Sequence, residues 1–140
     1  MTMATKLLRH HAKWRPLLAG VFWAGVTVGV SILYLTPRQS VELHALVLVL
    51  AASIYLGAAL SENAAREVQQ ERAQAAVFYA FTLAGLWVSP GWLAAGYVLH
   101  VVWDLLHHPE HVRTKIVDWV PPLCLTYDLI VAVYIFVALR

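Results

Sequence analysis

Charge is scarce in this chain. Only 13% of its residues are Asp, Glu, Lys or Arg, about half the share in a water-soluble domain. That shortage, set against 61% hydrophobic residues, excludes an ordinary soluble globule, and with it soluble catalytic and nucleotide-binding folds. Cysteine is nearly absent. Cys124 stands alone, so no internal disulfide framework exists and cysteine says nothing of the redox compartment. There is no internal repeat and no low-complexity stretch. A formal net charge of +2 is spread among apolar runs, which argues for membrane topology rather than a nucleic-acid partner.

The apolar residues fall in long runs, and at about 20 residues per span the length admits an all-α, polytopic transmembrane bundle of about five helices. The expected spans are 17–35, 41–60, 75–88, 92–106 and 119–139, in one domain covering 1–140 behind a basic tail at 1–16. The run from Leu17 to Leu35 exceeds the apolar core of a cleaved signal peptide, so it is read as an uncleaved first span. The third run is short enough to be re-entrant, which leaves four spans as the alternative. Glu62 to Gln74 is polar and helix-prone. Glu62 and Arg66, four residues apart, form a helix-supporting pair, so the segment is expected to carry a neighbouring helix into water. With five spans and the N-terminus inside, eight Lys and Arg lie on the inner side and two on the outer, as the positive-inside rule requires. A re-entrant third run leaves seven against three. The location read from this is the cytoplasmic membrane.

Against this background the ionisable residues within spans stand out. Each costs on the order of 2.5–3.5 kcal/mol to insert and usually faces a bundle interior. They are His44 in the second span, His100 and Asp104 in the fourth, and Asp128 in the fifth, with Glu62 and His107 at inner ends. Tyr97, His100, Asp104 and His107 are spaced 3, 4 and 3 apart, which puts them on one helical stripe. Imidazole and carboxylate at that spacing can ligate an ion or act as acid and base. By helical rise, His100 lies about 12 Å and Asp128 about 14 Å inside their spans, so they meet near mid-membrane. His100, Asp104 and Asp128 are therefore the candidate catalytic residues. With His107 they are also the candidate ligands for a divalent metal, zinc or iron. Tyr55, Glu62, Tyr97, Trp103 and Tyr127 are the expected pocket residues. His44 is expected to approach His100, and Glu62 to approach His107. His108 and His111 read as a solvated loop, and Gly20, Gly25, Gly29, Gly57 and Gly96 as close-packing positions.

The run Gly96-Tyr-Val-Leu-His100-Val-Val-Trp103-Asp104-Leu-Leu-His107-His108, with Cys124-Leu-Thr-Tyr-Asp128 after it and Tyr55-Leu-Gly57 before it, resembles the signature of an uncharacterised bacterial family of small, roughly five-span membrane proteins. The resemblance implies a shared polar set of His100, Trp103, Asp104, His107, His108 and Asp128, and no activity. Asp104-x2-His107-His108 is also similar to the tail of a histidine box in membrane di-iron enzymes, but seven histidines, two in the N-terminal tail, are too few for such a site. The Ser, His and Asp residues on spans are similar to those of membrane zinc hydrolases of the ceramidase and adiponectin-receptor type, although no His-x3-His pair sits in a terminal span.

An intramembrane enzyme acting on a lipid or isoprenoid-like substrate is thus the first expectation. The alternatives are a binding protein with haem between His44 and His100, a proton relay built by homo-oligomerisation, and a structural subunit. Membrane lipid is the expected partner, and no nucleic acid is.

Overall fold

In a computed structural model, which describes residues 3–62, 65–107 and 114–139 with side chains from Trp14 onward, the chain is all-helical. Five helices follow in order: α1 Met3–Tyr34, α2 Pro37–Glu62, α3 Ala65–Trp87, α4 Pro90–His107 and α5 Val120–Ala138. Among the described residues there is no strand.

The connections at 35–36 and 88–89 are short because the sequence caps the following helices closely. Thr36 and Gln39 form a reciprocal capping box. The Gln39 N–H donates to Thr36 Oγ1 (3.3 Å) and the Thr36 N–H donates to Gln39 Oε1 (3.0 Å), so two orphan donors are met just before α2. Pro37 then fills the first helical position, where its missing N–H costs nothing. Ser89 caps α4 by accepting the Gly91 N–H at 3.3 Å, again with proline next. α5 opens behind Trp119 without a side-chain cap, but Pro121 and Pro122 remove two of the donors that would need one.

Helix ends bear on the sequence expectation at three places. The basic tail is helical, since α1 begins at Met3. The polar stretch before Ala75 carries a neighbouring helix onward, as expected, by opening α3. Glu62 closes α2 while Arg66 lies in α3, so the two are not a pair on one helix. Proline at 109 agrees with the end of α4 at His107, because the residue before proline disfavours helical geometry.

The packing order runs α1, α5, α4, α3, α2, each helix lying against the next. α2 also reaches α4 across the middle. Glycine sets the closest approaches. A Cβ at Gly85 would fall 2.6 Å from Leu93 Cβ, and one at Gly20 would overlap Thr126 Oγ1 and the Leu123 carbonyl. At Gly96 it would meet Leu48 Cδ2 at 2.9 Å and Phe81 Cβ at 3.0 Å, so this position joins three helices. Gly25, Gly29 and Gly57 have nothing within 4 Å of such an atom and are not close-packing positions. Gly96→Val is therefore expected to destabilise the bundle by about 1–3 kcal/mol through overpacking. Gly57→Ala should be neutral or stabilising, by up to about 1 kcal/mol from helix propensity. Thermal unfolding in detergent checks both.

Polarity is arranged inside out. Leu33, Tyr34, Trp87, Val88, Val133 and Val137 are exposed, whereas His44, Glu71, His100, Asp104 and Asp128 are buried. Such a broad apolar exterior suits contact with lipid. Three helical segments, Trp14–Tyr34, Pro37–Glu62 and Val120–Ala138, are long and apolar enough to cross a membrane, rather than the five expected. The physical reason is visible in the other two. α3 spends its first turns on Arg, Glu and Gln, and α4 carries the His100, Asp104 and His107 stripe.

Candidate functional site

Two ionisable clusters lie along the inward face of α4. His100, Asp104 and His107 are one turn apart, so they share that face and are all buried. α5 brings Asp128 alongside. The His100 Nδ1–H donates to Asp128 Oδ2 at 2.7 Å and lies 3.5 Å from Asp104 Oδ2. From α2, the Tyr55 hydroxyl donates to Asp104 Oδ1 at 2.5 Å, and this short bond to a carboxylate is of the strong, charge-assisted kind. The Tyr55 and Phe78 rings close over His100 with centroids 5.7 and 4.9 Å away. They exclude water from it.

His100, Asp104 and Asp128 each offer one ligand atom within 4.8 Å of the others. Donor atoms bound to a common ion at about 2.0–2.2 Å stand a little over 3 Å apart, so the 3.5 Å spacing fits, while the 2.7 Å hydrogen bond would have to open slightly and His100 Nδ1 would have to give up its proton to bind. The second carboxylate needs the cation more than the histidine does. Every described Lys and Arg side chain (Arg15, Arg38, Arg66, Arg72 and Lys115) is exposed, so among the described residues a single imidazole is the only basic group facing Asp104 and Asp128.

The second cluster is one turn further along. His107 donates through Nε2–H to Glu71 Oε1 at 3.1 Å and through Nδ1–H to the Trp103 carbonyl at 3.0 Å. Both ring nitrogens are therefore engaged. Glu71 Oε1 also accepts from Thr114 Oγ1 at 2.7 Å, which pins the segment after α4 against α3. The Tyr55 ring lies 4.4 Å from that of His107, so Tyr55 touches both clusters.

Other expected residues are placed elsewhere. His107 stands outside the three-residue ligand group, with both nitrogens engaged. Glu62 does not approach it. Its carboxylate accepts the Lys115 N–H at 2.8 Å near the surface, and Glu71 takes the position beside His107. Tyr127 turns toward α1, its hydroxyl donating to Thr27 Oγ1 at 3.1 Å. Tyr97 donates to the His44 carbonyl at 2.7 Å. His44 packs on Tyr134 with centroids 5.5 Å apart, and its Nε2 bonds Ser31 Oγ at 3.1 Å, so its partners are not those of His100. Trp103 lies against His107, centroids 5.2 Å apart, and walls the second cluster. His108 and His111 fall outside the described residues.

Glu71, Gln74 and Thr114 are buried polar residues near the clusters that sequence reasoning missed. Glu71 and Gln74 lie on one face of α3 with Phe78, Thr82 and Gly85.

No curated protein and no solved structure matches this chain. The sequence profile of a family of unknown function, DUF6010, matches residues 15–140, a range that holds both clusters, and the chain belongs to that family.

Proposed function

We propose that this protein is an intramembrane enzyme whose His100, Asp104 and Asp128 hold a divalent cation, zinc or iron by their donor chemistry, and which acts on a lipid-like substrate. The observation that carries this reading is the charge imbalance at the centre. Two buried carboxylates converge on one imidazole, with no buried Lys or Arg beside them among the described residues, and buried charge is stable only when compensated. Three protein ligands leave a coordination position open, as catalytic sites require. A cation there would polarise a substrate oxygen or activate a water. Tyr55 would hold Asp104 by Oδ1, leaving Oδ2 for the ion.

The reading extends to topology. α4 turns Val98, Val102 and Leu105 outward while its polar stripe faces in, so we take α3 and α4 to cross the bilayer with their three more apolar neighbours. Arg15, Arg66, Arg72 and Lys115 then share one end of the bundle, which suits a cytoplasmic N-terminus in a multi-pass protein of the cytoplasmic membrane. A metal-free proton relay is the second reading. It is favoured by the succession Thr114, Glu71, His107, Tyr55, Asp104, His100, Asp128 along the bundle, and within so small a chain it would call for a homo-oligomer.

Elemental mass spectrometry on detergent-purified protein separates the two. The wild type is expected to hold about one ion per chain, and a His100→Ala/Asp104→Ala variant to hold none while its circular dichroism stays helical. Absence of metal from the wild type, even after zinc and iron are supplied, would sink the metal reading. Proton flux into reconstituted vesicles would then test the relay.

A further inference from the structure

The unmet hydrogen-bonding capacity of this bundle is concentrated between α3 and α4. Seven buried side-chain atoms have no hydrogen-bond partner among the described residues: His44 Nδ1, Glu71 Oε2, both amide atoms of Gln74, His100 Nε2, Trp103 Nε1 and Asp104 Oδ2. All but the first belong to these two helices. Buried polar atoms are almost always paired, so a group of them between one pair of helices points to something that pairs them.

The helix register shows that they occupy adjoining turns of the two helices. α3 and α4 run antiparallel from the Ser89–Pro90 corner. Gly85 lies against Leu93, Phe81 against Gly96, Phe78 over His100, and Glu71 on His107. Gln74 sits midway between Phe78 and Glu71 on that face and is therefore level with Trp103 and Asp104. It is 7% exposed, and neither its amide oxygen nor its amide nitrogen is used. An unpaired amide at this depth is destabilising, without purpose in a purely structural helix pair.

The chemistry of the atoms specifies what fits. The amide nitrogen of Gln74 and the indole N–H of Trp103 donate; Gln74 Oε1 and Glu71 Oε2 accept. A hydroxyl, which donates and accepts at once, satisfies both kinds. An ammonium would leave the two donors unmet. An anionic head would face Glu71, and a divalent ion would already be neutralised by Asp104 and Asp128, with every described Lys and Arg side chain exposed. We infer that the α3–α4 face around Gln74, Trp103 and Glu71 is the head-group site of the proposed centre, and that it takes an uncharged amphiphile with adjacent hydroxyls, of the monoacylglycerol type. This rests on the enzyme reading above and names its substrate class.

The test is equilibrium binding of a radiolabelled monoacylglycerol to the full chain in nanodiscs, with metal content read on the same preparations. Saturable binding is expected, poorly displaced by a free fatty acid or phosphatidic acid of equal chain length. Gln74→Leu should weaken it at least about tenfold, as the loss of one or two buried hydrogen bonds requires, with unchanged metal content. Because that variant removes an unpaired amide, it should fold at least as stably as the wild type without ligand. Absence of saturable binding, equal displacement by the anionic lipids, or full binding by Gln74→Leu would each overturn the inference. Metal without glyceride binding overturns this inference alone, whereas glyceride binding without metal overturns only the metal reading.

Discussion

Asp128→Ala is expected to destabilise the bundle by about 3–5 kcal/mol, the usual cost of removing one partner from a buried ionic group. The variant leaves the His100 Nδ1–H without its 2.7 Å acceptor and opens a void between α4 and α5, the pair in most extensive contact. Asp128→Asn should cost less, because the amide oxygen still accepts that bond and the volume is kept. Under the metal reading both variants lose the ion, since alanine has no ligand atom and an amide oxygen is a weak one. Stability and metal content therefore separate in Asp128→Asn alone. Thermal unfolding in detergent beside elemental analysis reads the two. An alanine variant as stable as the wild type would show that the carboxylate is not part of a working hydrogen-bonded core.

Glu71→Ala is expected to cost about 3 kcal/mol or more for the same reason, at a different place. His107 Nε2 and Thr114 Oγ1 both depend on Glu71 Oε1, so its loss strands a buried imidazole and frees the segment that Thr114 holds. Trypsin should then cleave after Lys115 faster than in the wild type, since opening of the backbone near a cut site governs its rate. Glu71→Gln keeps an acceptor and should restore protection from trypsin while recovering only part of the stability, because the charge opposite His107 is gone. Equal cleavage of all three proteins would show that Thr114 is held by something other than Glu71.

These two residues mark the difference between what was legible in the chain and what was not. Helical spacing alone puts Tyr97, His100, Asp104 and His107 on one stripe, and apolar surroundings make each of them conspicuous. Asp128 is conspicuous for the same reason. Glu71 is not, because Glu67, Gln69, Gln70, Arg72 and Gln74 surround it and any face of such a segment reads as solvated. Only the antiparallel register with α4, set by the Ser89–Pro90 corner and the Gly85–Leu93 contact, selects Glu71 and Gln74 as inward. Glycine was ambiguous in a comparable way: the residue type permits close packing, but neighbours on other helices decide that Gly96 uses it and Gly57 does not. The number of helices followed from the apolar runs and proline positions. Which of them are apolar enough to cross a membrane did not, because the polar stripe that makes α4 interesting also lowers its hydropathy.

That stripe bears on how the protein is made. α1, α2 and α5 can each partition into a bilayer as they emerge, but α4 would carry Asp104 and two histidines into hydrocarbon at roughly 2.5–3.5 kcal/mol for the aspartate alone. α3 enters with Glu71 and Gln74 on the face that meets α4. Joined by a two-residue corner, the two helices can shield these groups from lipid only by entering together as a closed hairpin, with Glu71 already on His107. Tyr55 of α2 is synthesised beforehand and can receive Asp104 at once, whereas Asp128 arrives last. With α3 and α4 crossing the bilayer as proposed, insertion and folding of this half of the chain would be one event, and a lesion in the Glu71–His107 pair would show first as failed biogenesis rather than as a folded protein lacking function.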